Sequence, residues 1–183
     1  MAVTPPELRI WWKEPVAKVE LTWIIVAFLW GLVMFFMMIY WHIAGNQNLS
    51  NEAYRIDAAT FTKYTQAMVD KYTVAKRTTR QGGREIPIVA PPPGSDVYLI
   101  ARLWEWWPIL QLQKGKSYRL HLSSLDWQHG FSLQPVNINF QVHPGYELVT
   151  TITPSDNGKF TVVCNEFCGI GHHTMLGKIL VVE

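Results

Sequence analysis

Residues 164–175 read CNEFCGIGHHTM, and this stretch decides how the rest of the chain is interpreted. It contains two thiols four positions apart, an imidazole at His172 and a thioether at Met175. Thiolate, imidazole and thioether are the soft and borderline ligands that select copper, whereas Ca²⁺ and Mg²⁺ prefer oxygen ligands. The donor types therefore favour a copper site.

The number of donors favours two copper ions rather than one. A mononuclear blue-copper site needs one Cys, two His and a weak axial Met. This stretch has one Cys too many, and a further imidazole lies upstream at His129 in the run Asp126-Trp-Gln-His129. We therefore predict two ions that share the sulfurs of Cys164 and Cys168, each with one imidazole, with Met175 and a backbone carbonyl as weak ligands. No coordination position remains open, so such a site transfers electrons without binding a substrate.

Other interpretations of the same residues stay open at the level of sequence. A Cys pair four apart is, taken alone, equally typical of a short disulfide or a redox dithiol. A copper-delivery protein of the thioredoxin type also has such a pair, but early in a βαβ pattern rather than late in an all-β one. Met175 alone could be core packing, and Glu166 could be a solvated loop acid.

The pattern of the last 85 or so residues, from Val97 onward, predicts an all-β domain. Short alternating runs are separated by turn residues such as His143-Pro144-Gly145 and Asp156-Asn157-Gly158. The predicted strands are Val97–Leu103, Leu110–Leu112, Ser117–Leu122, Phe131–Leu133, Ile138–Val142, Glu147–Ile152, Lys159–Cys164 and Lys178–Val182. Many short strands in so few residues indicate a small antiparallel sandwich or barrel. The net charge of +2 is too small to indicate a nucleic-acid surface.

The segment from Leu21 to Ile43 contains 23 consecutive residues without a formal charge. About 20 helical residues span the hydrocarbon core of a bilayer, so the segment predicts a transmembrane anchor within domain 1–45. A cleaved signal peptide would have a shorter apolar core and a small-residue cleavage site. Cations precede the span, at Arg9, Lys13 and Lys18, and are sparse after it, which predicts a cytoplasmic N-terminus and an external C-terminal domain.

Residues 46–95 predict an amphipathic helix followed by a linker. Apolar residues recur at spacings of three and four from Tyr54 to Tyr72, so a helix is expected to begin near Ser50 or Asn51. Such a helix needs a membrane surface or a partner subunit to cover its apolar face. The runs RTTRQGG at 77–83 and APPPG at 90–94 are typical of linkers, and the β-domain is expected to occupy 96–183.

The pattern Cys-x-Glu-x-Cys-Gly-x-x-His-x-x-Met resembles the signature of subunit II of cytochrome c oxidases, a family with a purple two-copper centre, CuA, in a cupredoxin fold. The match runs from Cys164 to Met175, and the upstream ligand of the family, 35 residues before the first Cys, falls on His129. The run Val136-Asn-Ile-Asn139 followed by Pro144-Gly145 looks most like the ba-type oxidases, whose subunit II has one anchoring helix. The resemblance implies a cupredoxin-like Greek-key sandwich with one N-terminal transmembrane helix.

The resemblance also implies residue roles. It assigns copper ligation to His129, Cys164, Cys168, His172 and Met175, with Glu166 donating its backbone carbonyl, while Asp126 is expected to orient the ligand loop. The aromatic run containing Trp104, Trp106 and Trp107 resembles the segment through which such subunits receive electrons, although Trp on a strand is commonly packing. The family's fuller aromatic-acidic signature is not reproduced here.

The function expected from the resemblance is an electron relay in a respiratory membrane. Cytochrome c or a small copper protein would reduce the CuA centre, and the electron would leave through His172 to haem in subunit I for the reduction of O₂. The same donor subunit could serve a haem-copper nitric oxide reductase. A stand-alone tethered carrier and a copper chaperone are alternatives of another class. The copper domain is expected on the periplasmic or extracellular side of the plasma membrane.

Overall fold

The structure is a computed structural model that describes residues 15–44, 52–78, 83–136 and 138–183. The chain divides into two compact units, Met1–Leu49 and Ser50–Glu183. The residues Arg9, Lys13, Ser50 and Asn51, on which part of the topology and helix predictions depended, lie outside the described residues.

The described part of the first unit contains one helix, α1 (Lys18–Ala44), which includes the whole predicted span. Its 27 residues correspond to about 40 Å at 1.5 Å per residue, which exceeds the roughly 30 Å of a hydrocarbon core. None of its residues is buried within the protein, and by length and composition it could cross a membrane.

The second unit is a two-sheet β-domain with one helix. Its elements are β1 (Glu52–Arg55), α2 (Ala58–Tyr72), β2 (Thr73–Thr78), β3 (Glu85–Val89), β4 (Asp96–Arg102), β5 (Glu105–Trp107), β6 (Ile109–Gln113), β7 (Tyr118–Ser124), β8 (His129–Gln134), β9 (Ile138–Val142), β10 (Tyr146–Ile152), β11 (Gly158–Cys164) and β12 (Leu176–Val182). One sheet has the order β1-β10-β7-β4-β5, and the other has the order β2-β3-β6-β12-β11-β8-β9. This arrangement confirms the predicted cupredoxin-like sandwich.

Apolar side chains of the two sheets form the core between them. Alternate positions of β7 are completely buried, and so are the inward residues of β6, β8 and β11. The largest completely buried side chains of the domain include Trp106 of β5, Tyr118, Leu120 and Leu122 of β7, and Phe131 of β8. The core therefore extends along the strands to the end of the domain where β8 begins and β11 ends.

The pairing is mixed rather than antiparallel throughout, which corrects the sequence prediction. The pairs β3–β6, β4–β7 and β6–β12 are parallel, whereas the remaining pairs are antiparallel. Parallel neighbours need a crossover, and the chain supplies one between β4 and β7 when β6 crosses to the other sheet.

Residues 52–78 and 83–89 are part of the β-domain and not a separate helix and linker. Tyr54 lies in β1, which pairs with β10, so the helix begins later than predicted, at Ala58. The side chain of Asp57 caps it by accepting a hydrogen bond of 2.9 Å from the backbone N–H of Thr60. The apolar face of α2 is covered by its own domain, because Phe61 is completely buried with its ring 5.7 Å from that of Tyr98. The predicted linker at 77–83 instead begins in β2, which pairs with β3.

Candidate metal centre

The predicted ligands converge at the end of the domain where β8 begins and β11 ends. In the antiparallel register of these strands Cys164 lies opposite Phe131, which places His129 two residues beyond it, next to the loop 165–175. This loop carries Cys168, turns through a short 3₁₀ helix at His172–Thr174 and enters β12 after Met175. A backbone hydrogen bond of 3.2 Å from the Cys164 N–H to the Met175 carbonyl closes the loop.

Two sulfurs form the centre of the cluster, and each lies beside a different imidazole. The Sγ atoms of Cys164 and Cys168 are 3.7 Å apart, well beyond the roughly 2.05 Å of a disulfide, so both thiols are free. His129 Nδ1 is 3.8 Å from Cys164 Sγ, and His172 Nδ1 is 3.6 Å from Cys168 Sγ. Met175 Sδ lies 3.8 Å from Cys168 Sγ. Five soft or borderline donor atoms therefore face one small volume.

The backbone carbonyl of Glu166, and not its carboxylate, faces the sulfurs. The carbonyl oxygen is 3.3 Å from Cys164 Sγ, whereas the carboxylate accepts a hydrogen bond of 3.0 Å from the Gln141 side chain on β9. The expectation that Glu166 contributes through its main chain therefore fits the geometry.

His129 is completely buried and is held from both sides of its ring. Its Nε2 lies 2.8 Å from Asp126 Oδ1, and Asp126 also accepts hydrogen bonds of 2.7 Å from the backbone N–H groups of Leu103 and Trp127. Burial alone lowers the pKa of His129, but the contacts with Cys164 and Asp126 outweigh burial and raise it. Because Nε2–H donates its hydrogen bond to Asp126, loss of the Nδ1 proton leaves the Nδ1 lone pair directed to the sulfurs, where a metal ion can use it.

The thiol pair favours a single negative charge in the absence of a metal ion. Burial alone raises the pKa of Cys164, but hydrogen bonds from His129 and from the backbone N–H groups of Gly130 and Glu166 outweigh burial and lower it. Burial and the adjacent Cys164 sulfur raise the pKa of Cys168. A cation bound between the sulfurs would therefore displace the proton of Cys168.

The three predicted tryptophans have different surroundings. The Trp104 side chain is 37% exposed, and its indole N–H donates a hydrogen bond of 3.0 Å to the Cys168 carbonyl. Trp106 is 1% exposed and packs edge-on against Phe131, with its ring centroid 6.4 Å from that of His129. A buried ring cannot contact a docked protein, so the docking interpretation does not hold for Trp106. Trp107 is half-buried beneath the guanidinium of Arg102.

Sequence reasoning missed the apolar residues that surround the ligands on the surface. Phe167 and Ile170 are 80% and 90% exposed, and Trp127 is 55% exposed beside Gly169. The sequence contained a signal for them, because Phe167 and Ile170 are large apolar residues at positions of the loop that the ligand motif leaves unspecified.

The donor set of the described residues fits copper better than other common metals. His129, Cys164 and Cys168 form a group whose ligand atoms all lie within 4.8 Å of one another. Thiolate and imidazole ligands suit both copper and zinc, the additional thioether of Met175 beside the sulfurs favours copper, and a site for Ca²⁺ or Mg²⁺ would need oxygen ligands.

Comparisons with known proteins agree with the resemblance noted in the sequence. The chain is 29% identical over 116 residues to cytochrome c oxidase subunit 2 of Thermus thermophilus, which covers 63% of this chain and 86% of that protein. It is 39% identical over 76 residues to a probable cytochrome c oxidase subunit 2 of Streptomyces coelicolor, covering 42% of this chain and 24% of that protein. No protein-family model matches the chain.

Among solved structures, a chain of a haem-copper terminal oxidase dimer determined by electron cryo-microscopy shares the fold. The TM-score is 0.56 at 24% sequence identity, over 90% of this chain and 100% of that chain. The relatives confirm the resemblance to subunit II of an oxidoreductase complex, and the solved structure supports the fold.

Proposed function

Because the chain is a relative of cytochrome c oxidase subunit II, we propose that it is the copper-carrying subunit through which a membrane-bound haem-copper oxidase receives electrons. One observation carries the proposal. Two free thiols 3.7 Å apart each have a different imidazole nitrogen within 3.8 Å. That arrangement supplies two separate imidazole positions around a shared pair of sulfurs, which suits two copper ions better than one.

In this proposal Cys164 and Cys168 hold both ions, His129 and His172 each hold one, and Met175 and the Glu166 carbonyl are weak ligands. When bound, the copper pair would supply a one-electron carrier whose charge is spread over two metals and two sulfurs. The residues around it fix its ligands. Asp126 maintains the tautomer of His129, and the completely buried Cys168 and nearly buried Met175 exclude water.

The proposed position in the membrane follows from α1 and the charges that flank it. The apolar helix would anchor the chain in the plasma membrane with its N-terminus in the cytoplasm, which places the β-domain on the periplasmic or extracellular side. Cytochrome c or a small copper protein would deliver electrons there. His172 is half-buried at the surface and would be the ligand that faces the haem of subunit I, where O₂ is reduced.

The test is copper analysis and electron paramagnetic resonance of the copper-loaded full chain in detergent. We expect two coppers per chain and a hyperfine pattern from one electron shared by two copper nuclei, which Cys168→Ser abolishes. His172→Gln should alter the pattern, whereas His173→Gln, a change at the exposed neighbouring position, should leave it intact. One copper with a mononuclear pattern would contradict the two-ion site. Isolation of the native complex with its haem-bearing chains, followed by turnover with O₂ and with NO, identifies the final acceptor.

A further inference from the structure

The surface around the ligand loop exposes large apolar side chains. Phe167 and Ile170 project from the loop itself, and the rings of Trp104 and Trp127 both lie within 4 Å of where a side chain at Gly169 would be. Exposed apolar side chains that gather in one place mark sites of protein–protein contact. We call these four residues the aromatic rim, with Ile170 as its aliphatic member.

A basic cluster adjoins one side of this rim. Glu105 directly follows Trp104, and its carboxylate is 11% exposed because two guanidinium groups cover it. Arg102 Nε donates to Glu105 Oε1 at 2.6 Å, and Arg84 Nη1 lies 3.7 Å from the same oxygen. Arg84 immediately precedes β3, so the contact fixes the β2–β3 pair beside the rim.

The β2–β3 pair adds further cations at the same end of the domain. Lys76 and Arg77 are exposed on β2, and within the described part of the two strands Glu85 on β3 is the one carboxylate that offsets them, through an ion pair of 3.2 Å with Lys76. Together with Arg84 and Arg102, the described residues of this surface therefore supply four cations and two carboxylates, a net charge of +2.

The acidic groups near the ligands, Asp126 and Glu166, do not cancel this charge at the β2–β3 side. Asp126 faces inward to His129, and Glu166 is hydrogen-bonded to Gln141 of β9. The strands β2 and β9 form opposite edges of the seven-stranded sheet. The surface is therefore asymmetric, with cations on one side of the rim and the exposed loop acid on the other.

We propose that the electron donor of this subunit is an acidic soluble redox protein. Its carboxylates face Lys76, Arg77 and Arg84, and the apolar surroundings of its redox centre rest on the aromatic rim. The donor is oxidised by one electron and the copper centre is reduced by one. The inference rests on the proposed function and adds the sign of the donor's charge. Opposite charges steer encounter and raise association rates by roughly 10- to 1000-fold, an effect that added salt removes.

The probe is a basic mitochondrial cytochrome c compared with the same cytochrome after succinylation of its lysines, which reverses its charge. We expect the succinylated protein to reduce the copper-loaded full chain roughly tenfold faster at low ionic strength, with the advantage lost at high salt. A second readout needs no copper. In calorimetric titration, the succinylated cytochrome should bind the copper-free chain at low salt more tightly than the native one.

The variant that tests the basic cluster is Lys76→Glu/Arg77→Glu, which leaves Glu105 and its two arginines in place. It should slow reduction by the succinylated cytochrome roughly tenfold. Lys114→Glu/Lys159→Glu is the matched control, because it changes the total charge by the same amount at the opposite end of the domain. Lys159 lies about 16 Å from Cys164 along β11 at 3.3 Å per residue, and Lys114 follows β6 beside the end of β12. This control should have little effect.

The outcomes separate the two proposals. The acidic-donor inference would be overturned if native cytochrome reduced the centre faster than the succinylated one and that rate fell with added salt. Equal effects of the two double variants would also overturn it. Either result would leave the electron relay in place. If a neutral small-molecule reductant reduces the centre but neither cytochrome does at any salt concentration, the relay proposal itself fails.

Discussion

Gly171→Ala tests whether Trp104 covers the ligand loop as the structure places it. A Cβ atom at Gly171 would lie 2.6 Å from both Cγ and Cε3 of the Trp104 ring, far inside van der Waals contact. The backbone at Gly171 has φ −86° and ψ 6°, which an alanine can adopt. Glycine is therefore required for space and not for its backbone conformation.

The expected cost follows from what Trp104 must give up. Inserting a methyl group into a packed contact costs roughly 1–3 kcal/mol. Moving the ring also breaks the 3.0 Å hydrogen bond from its indole N–H to the Cys168 carbonyl, worth roughly 0.5–1.5 kcal/mol net. We expect Gly171→Ala to lower the free energy of unfolding by about 2–4 kcal/mol. In the Trp104→Ala background, where the ring is already absent, the same substitution should cost less than about 0.5 kcal/mol.

The assay is denaturant unfolding of the copper-free full chain in detergent, followed by near-ultraviolet circular dichroism. It compares the unsubstituted chain, Gly171→Ala, Trp104→Ala and the double variant. Gly130→Ala provides a matched control, because its Cβ would lie 2.8 Å from the Glu166 backbone nitrogen and 2.9 Å from Glu166 Cγ, and the atoms nearest to it belong to Asn165 and Glu166 rather than to Trp104. Its cost should be the same in both backgrounds. If the cost of Gly171→Ala also persists without the ring, Trp104 does not pack on the loop and the reasoning is refuted.

Three further substitutions test the ligand supports and the helix cap. Asp126→Asn replaces one carboxylate oxygen by an NH₂ group, which would face the N–H of His129 or of Leu103 instead of accepting from it. Copper binding should weaken roughly 10- to 100-fold in competition titrations. Met175→Leu conserves volume at a site 1% exposed, so the domain should remain folded while the reduction potential changes; an unchanged potential would exclude the thioether as a ligand. Asp57→Ala removes the cap of α2. Because hydrogen bonds from Thr60 hold the pKa of Asp57 below its usual range, the resulting drop in thermal midpoint should be full at neutral pH and should shrink as the pH falls below that range.

The strands after residue 95 could be predicted because their alternation is regular and turn residues separate them. Most of the predicted bounds fall within two residues of β4 and of β6 to β12. The strand β5 was missed because it has only three residues and follows a turn inside the Trp-rich run. The strands β2 and β3 were missed because cations, glycines and Pro87 hide their alternation, although the two strands pair with each other at one edge of a sheet.

Pairing partners could not be predicted from the pattern, because alternation says which face of a strand is buried and not which strand lies beside it. The parallel pair β4–β7 forms because the chain passes through β5 and then through β6 in the other sheet before it returns as β7. The parallel pair β6–β12 joins segments about 70 residues apart in the chain. Similarly, the periodicity of 54–72 predicted a covered apolar face but could not identify its cover, which is Tyr98 and its neighbours on β4.

The candidate ligands were found in the sequence because five of the six lie within residues 164–175, where spacing alone limits their separation. His129 is different, since 35 residues separate it from Cys164, and only the register of β8 against β11 brings its Nδ1 to within 3.8 Å of the sulfur. A slip of one residue in that register would turn Phe131 out of the core and His129 away from the loop. Phe131 is completely buried, so the slip would expose a whole aromatic side chain, at a cost of roughly 1.5–3 kcal/mol. The apolar packing two residues from His129 therefore fixes the geometry of the site before any metal ion is bound, and the sequence encodes this in the alternation of β8 rather than in the ligand motif.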